Sequence, residues 1–347
     1  MNYCKIEPKI DINLQFNTIA SIQQEYLKDN IPWSLGFSGG KDSTALLKLV
    51  YLALEKLNKK SKPITIIYCD TGVEIPIVRL LVKQTLNDIT LEALEHDLPI
   101  KAHIVFPPLK DRYFSKVIGR GYPPPSYKFR WCTDVLRINP IKRFLNNIPG
   151  QSNVLLGIRR NESVERNRTL LQHKTNNEHY FRQSGNKNVI IYSPIIEYSE
   201  PDIWSVINED SSPQSIDARK LQDLYSILVL DKSKTITSTE IFHAKGRFGC
   251  WTCTVVRQDK AVKNMIDGGY ESLEPLLEFR NWLAEIRDDD AYRYKRRRNG
   301  DTGLGPFTLE ARKIILDKLL EAQNKSEWNL IESEEVDYIT YQWRTDS

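Results

Sequence analysis

Three groups of residues in this sequence have the types and spacing to do chemistry. The first is Ser38, Gly39, Gly40, Lys41, Asp42 and Ser43. An apolar run of strand length, Trp33 to Phe37, precedes it, and apolar residues at helical spacing (Ala45, Leu46, Leu49, Val50, Ala53, Leu54) follow it. A strand, a two-glycine turn and a helix rich in hydroxyls at its start make an anion site. The bare amides and the positive end of the helix dipole face the turn, and glycines let the backbone close around phosphate oxygens. The spacing is not that of GxxxxGK[ST], so this is a different phosphate loop. The plainer alternative is a βα turn capped by Ser38 or Asp42.

The second group is sulfur. Cys250 and Cys253 form a CxxC in GRFGCWTCTVV, with Gly246 and Gly249 allowing a tight wrap, and Cys132 heads a helical pattern in FRWCTDVLRINPIKRF. A CxxC serves as a redox pair or as half a zinc site. A third cysteine at a helix start beside a nucleotide site favours an iron–sulfur cluster on three thiolates, with one iron left open. His243 and Cys4 are candidate fourth ligands, and Cys69, ending an apolar strand, reads as a small hydrophobe. Five cysteines, an odd number, argue against a disulfide framework.

The third group is cationic. Arg293, Lys295, Arg296, Arg297 and Arg298 fall within Tyr292–Gly300 together with two tyrosines. Upstream, Lys110, Arg112, Lys116, Arg120, Lys128 and Arg130 interleave with Tyr and Phe just before Cys132. Such stretches neutralise phosphates and stack on bases. A solvated face balanced by Asp288–Asp290 is the alternative, and two basic–aromatic stretches flanking one thiol-rich site favour nucleic acid.

Elements of fixed type must hold these groups in place. WSLGF, ITIIYC (64–69), AHIVF (102–106), VLLGI (154–158) and NVIIY (188–192) are apolar on nearly every residue, as strands covered on both faces are. Helical patterns between them give a doubly wound, mostly parallel α/β sheet over residues 1–210, whose ligands bind beyond the strand carboxyl ends. Ser38–Ser43, Asp70 and the residues after Gly157 all lie at such ends. After Gly157, the turn GIRRNESVERNR gathers Arg159, Arg160, Arg166 and Arg168, with Glu162 to order them. It reads as a second anion site or as a self-paired surface. Ser199 is placed to cap a helix beginning at Pro201 and Asp202. From 211 to 347 the pattern is mainly helical.

Composition bounds the rest. The chain has 347 residues, 40% of them hydrophobic, with a formal charge of +4 and a pI near 8.6. That balance allows a polyanionic partner without requiring one. No apolar run reaches membrane-span length, and MNYCKIEPKI has no signal-peptide core, so the expectation is a cytoplasmic protein with no membrane partner.

SGGKDS, the DTG after the second strand, GIRRNES and PIIEYSEPDIW together resemble the phosphoadenosine phosphosulfate reductase superfamily of adenine-nucleotide α-hydrolases (HUP type). GYPPP, KFRWCTDVLRINP, RFGCWTCTVV, LEPLLEFRNWL, RRRNG and GPFTLEAR resemble, more narrowly, the DndC family, the ATP pyrophosphatases of bacterial DNA phosphorothioation. The SspD family is a near neighbour.

The resemblance implies a sulfurtransferase that uses ATP to adenylylate a DNA backbone phosphate in a restriction–modification system. Sulfur from a cysteine desulfurase would then displace AMP, alongside other phosphorothioation proteins. It implies that Ser38, Gly39, Gly40, Lys41, Asp42, Ser43 and Gly157 hold the nucleotide. Asp70 would lie near the nucleotide or its Mg2+, and Lys41, Asp42, Asp70, Arg159, Arg160 and Glu162 would be catalytic. A 4Fe–4S cluster would sit on Cys132, Cys250 and Cys253. The DNA would lie on Lys110, Arg112, Lys116, Arg120, Arg293, Lys295, Arg296, Arg297 and Arg298. The family carries a further cysteine soon after the CxxC, whereas residues 254–347 contain none. Two rivals share the loop. A tRNA-thiolating pyrophosphatase would use the same cluster and basic surface. A sulfonucleotide reductase would need a mobile cysteine near the C-terminus, which this sequence lacks.

Overall fold

The computed structural model describes residues 12–160, 172, 175, 177–182, 189–228 and 248–345. Glu162, Arg166, Arg168, His243, Gly246 and Cys4 lie outside them. The α/β half runs α1 (Ile12–Leu27), β1 (Trp33–Gly36), α2 (Lys41–Glu55), β2 (Ile64–Cys69), α3 (Pro76–Glu95), β3 (Ile100–Val105), α4 (Asn139–Asn146), β4 (Ser152–Leu155), β5 (Tyr180–Arg182), β6 (Val189–Tyr192) and α5 (Glu200–Asn208).

The strands form one sheet in the order β3-β2-β1-β4-β6-β5. All neighbours are parallel except β5, which pairs antiparallel with β6 at the edge. The five expected strands are present. β5 was not expected, because three residues are too few to show a period. Ser199 caps α5 as expected: its side chain accepts from the Asp202 amide, and the Asp202 carboxylate accepts from the Ser199 amide at 2.8 Å.

The chain leaves β1 toward β2 on one side and β4 on the other, so the carboxyl ends of β1 and β4 flank the point where strand order reverses. Ligands of open α/β sheets bind at such a point. Both the SGGKDS turn and the turn carrying Gly157, Arg159 and Arg160 open there. The strands approach closely: a Cβ on Gly36 of β1 would stand 2.6 Å from Leu156 beyond β4.

Among the described residues, helices α6 (Ala218–Leu228), α7 (Lys260–Asp267), α8 (Glu274–Ile286), α9 (Leu309–Ser326) and α10 (Ser333–Thr345) follow. They share a core with the sheet. One cluster of buried side chains includes Trp33, Leu46, Phe114, Trp251, Leu283 and Ile339, while a smaller one, around Ile67, Val105 and Leu145, lies under α4. Among the described residues, no helix is long and apolar enough to cross a membrane.

Candidate active site

The phosphate-loop sequence folds as a preorganised turn. Gly39 takes φ +73°, and a Cβ there would meet Val82 Cγ2 of α3 at 2.2 Å, so position 39 needs glycine on both counts. The Ser43 hydroxyl donates to the Gly40 carbonyl at 2.9 Å and accepts from the Ser38 amide at 3.2 Å, with the Ser38 hydroxyl a further 3.2 Å away. The two serines therefore fix the turn from opposite ends. Gly40 is the N-cap of α2 and supplies no side-chain cap, which leaves the positive helix end to an outside group.

Two residues with no signal in the sequence complete the loop. The Lys41 amide donates to the Tyr225 hydroxyl at 3.1 Å, and Lys41 Nζ lies 3.0 Å from Glu200 and 5.1 Å from the Tyr225 ring centroid. Tyr225 stands on α6 and Glu200 in the first turn of α5, so both helices reach the loop. Lys41 is itself buried.

The turn after β4 meets the loop directly. A Cβ on Gly157 would lie 2.7 Å from the Asp42 carbonyl oxygen and 3.0 Å from the Ser43 nitrogen. Arg159 is buried, its Nε 2.5 Å from the Asp42 carboxylate and its Nη1 donating to the Tyr198 carbonyl at 3.4 Å. Arg159 thus orients Asp42. Arg160 points to the surface and pairs with Glu178 and Glu197, each at 2.9 Å.

Asp70, at the end of β2, is wholly buried. Its carboxylate accepts from Arg79 Nε at 2.9 Å and from the Gly72 amide at 2.9 Å, and Lys83 Nζ lies 2.8 Å away. Arg79 and Lys83 sit four residues apart on α3, a spacing that could have flagged them once Asp70 was suspected. Asp70, Arg79 and Lys83 line a cavity of ≈ 250 Å³ whose far wall is Leu330, Ile331 and Glu335.

The thiols converge on that same turn. Glu74 and Cys250 form an antiparallel bridge, and the Trp251 amide donates to the Val73 carbonyl at 3.0 Å, so the CxxC is stitched to the chain leaving β2. Cys132 begins a helical run that is π-helical over Thr133–Ile138, a departure from α geometry that often marks functional sites. Trp131 stacks on Tyr113 at 5.8 Å, and the Tyr113 hydroxyl donates to the Thr252 carbonyl inside the CxxC at 3.4 Å, which links the start of the Cys132 helix to the CxxC. Burial chiefly raises the pKa of Cys132, and the charge of Cys253 adds to it.

Burial is the largest influence on Cys250, pushing its thiol up to about 12, and Arg137 opposes this from 3.8 Å. Burial works against the charge of Arg137, but Cys250 and Glu74 outweigh it and raise its pKa. Glu74 is held above the usual carboxylate range, chiefly by burial. Three thiols with a cation beside one of them have the donor chemistry of a thiolate-ligated iron site, but no group of three or more His, Cys, Asp or Glu among the described residues is arranged to hold a metal ion. Cys69, the last residue of β2, donates to the Leu136 carbonyl at 3.2 Å; burial pushes it up to about 12, in keeping with a structural thiol.

The family model of the phosphoadenosine phosphosulfate reductase domain matches residues 32–256, which span the loop, the Asp70 turn, Gly157 and all three cysteines. The chain belongs to that family. Two uncharacterized proteins of Methanocaldococcus jannaschii are 28% and 29% identical over 202 and 180 residues, or 58% and 51% of this chain. The matches span only 36% of each relative. Among solved structures, a phosphoadenylyl-sulfate reductase from Candida auris matches 65% of this chain and 93% of its own, at 14% identity and TM-score 0.37. A U34-tRNA thiolase from Methanococcus maripaludis, solved with its 4Fe–4S cluster, matches 82% of each chain at 15% identity and TM-score 0.37.

The basic residues of this family member divide by structure. Arg293 is buried: its guanidinium donates to the carbonyls of Gly305 (2.6 Å) and Arg287 and lies over the Phe307 ring. Its place in the expected DNA surface is therefore corrected to a structural one, since a cation enclosed by carbonyls and an aromatic ring cannot reach a phosphate. Arg112 lies 3.8 Å from Glu334, and Lys116 lies 2.9 Å from Asp111. Lys110, Lys295, Arg296, Arg297 and Arg298 are exposed. Arg298 donates to the Arg120 carbonyl and covers the Tyr122 ring at 5.4 Å, which joins the two basic stretches into one surface.

Proposed function

We propose that this protein is the ATP-dependent sulfurtransferase of a DNA phosphorothioation system. The observation that carries the reading is the pairing of Cys250 and Trp251 with Glu74 and Val73. It brings Cys250 and Cys253 to the chain leaving β2, at the rim of the sheet that presents SGGKDS, and Arg298 joins the two basic stretches through Arg120 and Tyr122.

In the proposed reaction a non-bridging oxygen of a DNA phosphate attacks the α-phosphorus of ATP and pyrophosphate leaves. Sulfur at the sulfide level then attacks the activated DNA phosphorus, and AMP departs with the original oxygen. The amides at the start of α2, with the Ser38 and Ser43 hydroxyls, take up the charge developing on pyrophosphate; dipoles fixed in advance do this without reorganisation. Lys41, steered by Glu200, neutralises a phosphate oxygen. Arg159 holds Asp42 clear of the phosphates. Mg2+ would balance the remaining phosphate charge, and a 4Fe–4S cluster on Cys132, Cys250 and Cys253 would offer an open iron for the sulfur. A cysteine desulfurase is the sulfur donor in this reading: its persulfide sulfur is released at the sulfide level by two electrons from a thiol reductant, which ends as a disulfide, and the protein acts in the cytoplasm.

Incubation with ATP labelled on the α-phosphate, together with DNA or with tRNA, tests the reading. Adenylylated DNA is expected. Adenylylated tRNA would replace it with tRNA thiolation, and label on neither polymer would overturn both. Anaerobic purification with an absorption spectrum and iron and zinc analysis checks the cluster separately.

A further inference from the structure

We propose that the hairpin tip Ser126–Phe129 is a stacking platform for unpaired bases of the DNA strand, a refinement that rests on the function proposed above. Ser126 and Phe129 exchange backbone hydrogen bonds, at 3.2 and 3.1 Å, and hold Tyr127 and Lys128 between them at the tip. Tyr127 is 75% exposed and Phe129 46%. Turn tips favour Gly, Asn, Asp, Ser and Pro, so two bare rings at a tip have no local conformational reason to be there.

The tip is held rigidly. The Pro125 carbonyl accepts from the Thr254 hydroxyl at 2.6 Å and from Arg287 at 3.4 Å, and the Pro123 carbonyl accepts from the Trp131 indole at 3.0 Å. Thr254 directly follows Cys253 and Trp131 directly precedes Cys132, so the platform is fixed to the thiol site from both sides. A preorganised ring loses little entropy when a base lands on it.

The charges around it suit a nucleic-acid strand. The Arg130 guanidinium lies 5.2 Å from the Tyr127 ring centroid. The turn Arg296–Thr302 carries Arg296 and Arg297 and is tied to the base of the hairpin: Arg298 donates to the Arg120 carbonyl and covers Tyr122, which meets Trp131 edge-on at 5.8 Å. Among the described residues, Lys128, Arg130, Lys295, Arg296 and Arg297 have no carboxylate partner, so their charge is unspent. Cations that track a backbone, next to exposed rings, are the arrangement that binds single strands. A paired duplex presents its phosphates and groove edges, and its base faces are out of reach of a protruding ring.

Fluorescence anisotropy with a labelled single strand of about twelve nucleotides, and with the matching duplex, tests this on the whole chain. A Tyr127→Ala/Phe129→Ala variant is expected to lose single-strand affinity about ten-fold, with the salt slope unchanged and duplex affinity within about two-fold of wild type. Tyr127→Phe/Phe129→Tyr keeps both rings and is expected to restore binding, which separates stacking from damage to the fold. Equal single-strand binding by wild type and the double alanine variant would overturn the platform and leave the proposed function standing. An equal loss on duplex would also overturn it. Wild-type protein that binds neither form of DNA, or binds only RNA of the same sequence, would overturn the proposed function as well.

Discussion

The hydroxyl of Tyr225 accepts a hydrogen bond from the amide of Lys41 at 3.1 Å, although 184 residues separate the two. The phenol ties the first amide of α2 to α6 and so fixes the loop that would receive ATP. Its ring meets Trp204 and Phe248 edge-on at 5.3 and 5.4 Å and will stay in place without the hydroxyl. Tyr225→Phe is therefore expected to weaken ATP binding about five-fold with unchanged thermal stability, the net effect of one hydrogen bond. Equilibrium binding of ATP and a thermal melt check both halves.

Ser43→Ala removes the hydroxyl that links the Ser38 amide to the Gly40 carbonyl. Pyrophosphate release is expected to fall by about ten-fold to a hundred-fold, as for loss of a preorganised donor, while DNA affinity is retained. A pyrophosphate-coupled assay alongside DNA binding reads the two separately. Unchanged release would mean that the serine bears on the turn alone.

Gly157→Ala places a methyl 2.7 Å from the Asp42 carbonyl oxygen, backbone against backbone, so the start of α2 must shift. The expected cost is about 1–3 kcal/mol of stability, with a larger loss of ATP cleavage than of DNA binding. Denaturant melts and the same two assays provide the check.

Arg293 and Arg296 belong to one basic run and have opposite fates. Arg293→Ala leaves two carbonyls unsatisfied and uncovers Phe307, and is expected to destabilise by about 2–4 kcal/mol. Neutralising Lys295, Arg296 and Arg297 is expected to leave stability unchanged and to lower the salt slope of DNA affinity by about 0.7–0.9 per residue. A melt and a salt titration distinguish them.

Asp29 pairs at 2.8 Å with Lys62, whose side chain is fully buried against Tyr26 and Trp33. Desolvation alone would raise the Asp29 pKa, but the hydrogen bonds and charge of Lys62 and the Ile31 amide hold it below the ordinary carboxylate value. A pKa depressed in the fold means that the stabilisation is full above the unfolded value and fades as pH falls through the folded one. Asp29→Asn is expected to cost about 2 kcal/mol at neutral pH, with the gap to wild type closing below about pH 4. Melts from pH 7 to pH 2 follow it.

The parts of this architecture that were legible in the sequence are those fixed by local periodicity or by glycine. The strand runs, the SGGKDS turn and the capped start of α5 all announce themselves within a few residues. Tyr225 and Glu200 reach the site from distant segments, and no short-range pattern distinguishes them from any surface Tyr or Glu. Arg293 shows the converse: a residue within a basic run turns inward because Phe307 and two carbonyls happen to surround it. That the CxxC meets the chain beyond β2 follows from how α8 and α10 pack, which depends on the whole core.

The stitch between Glu74 and Cys250 also governs how the molecule comes apart. Phe114 packs between the sheet side and Trp251 and Phe279, and a Cβ on Gly119 would already stand 3.5 Å from Ile339 of α10, so the C-terminal helices have no separate interior to retreat to. Heating should therefore melt the chain in a single step, and a fragment ending at residue 210 should expose a greasy scar and precipitate.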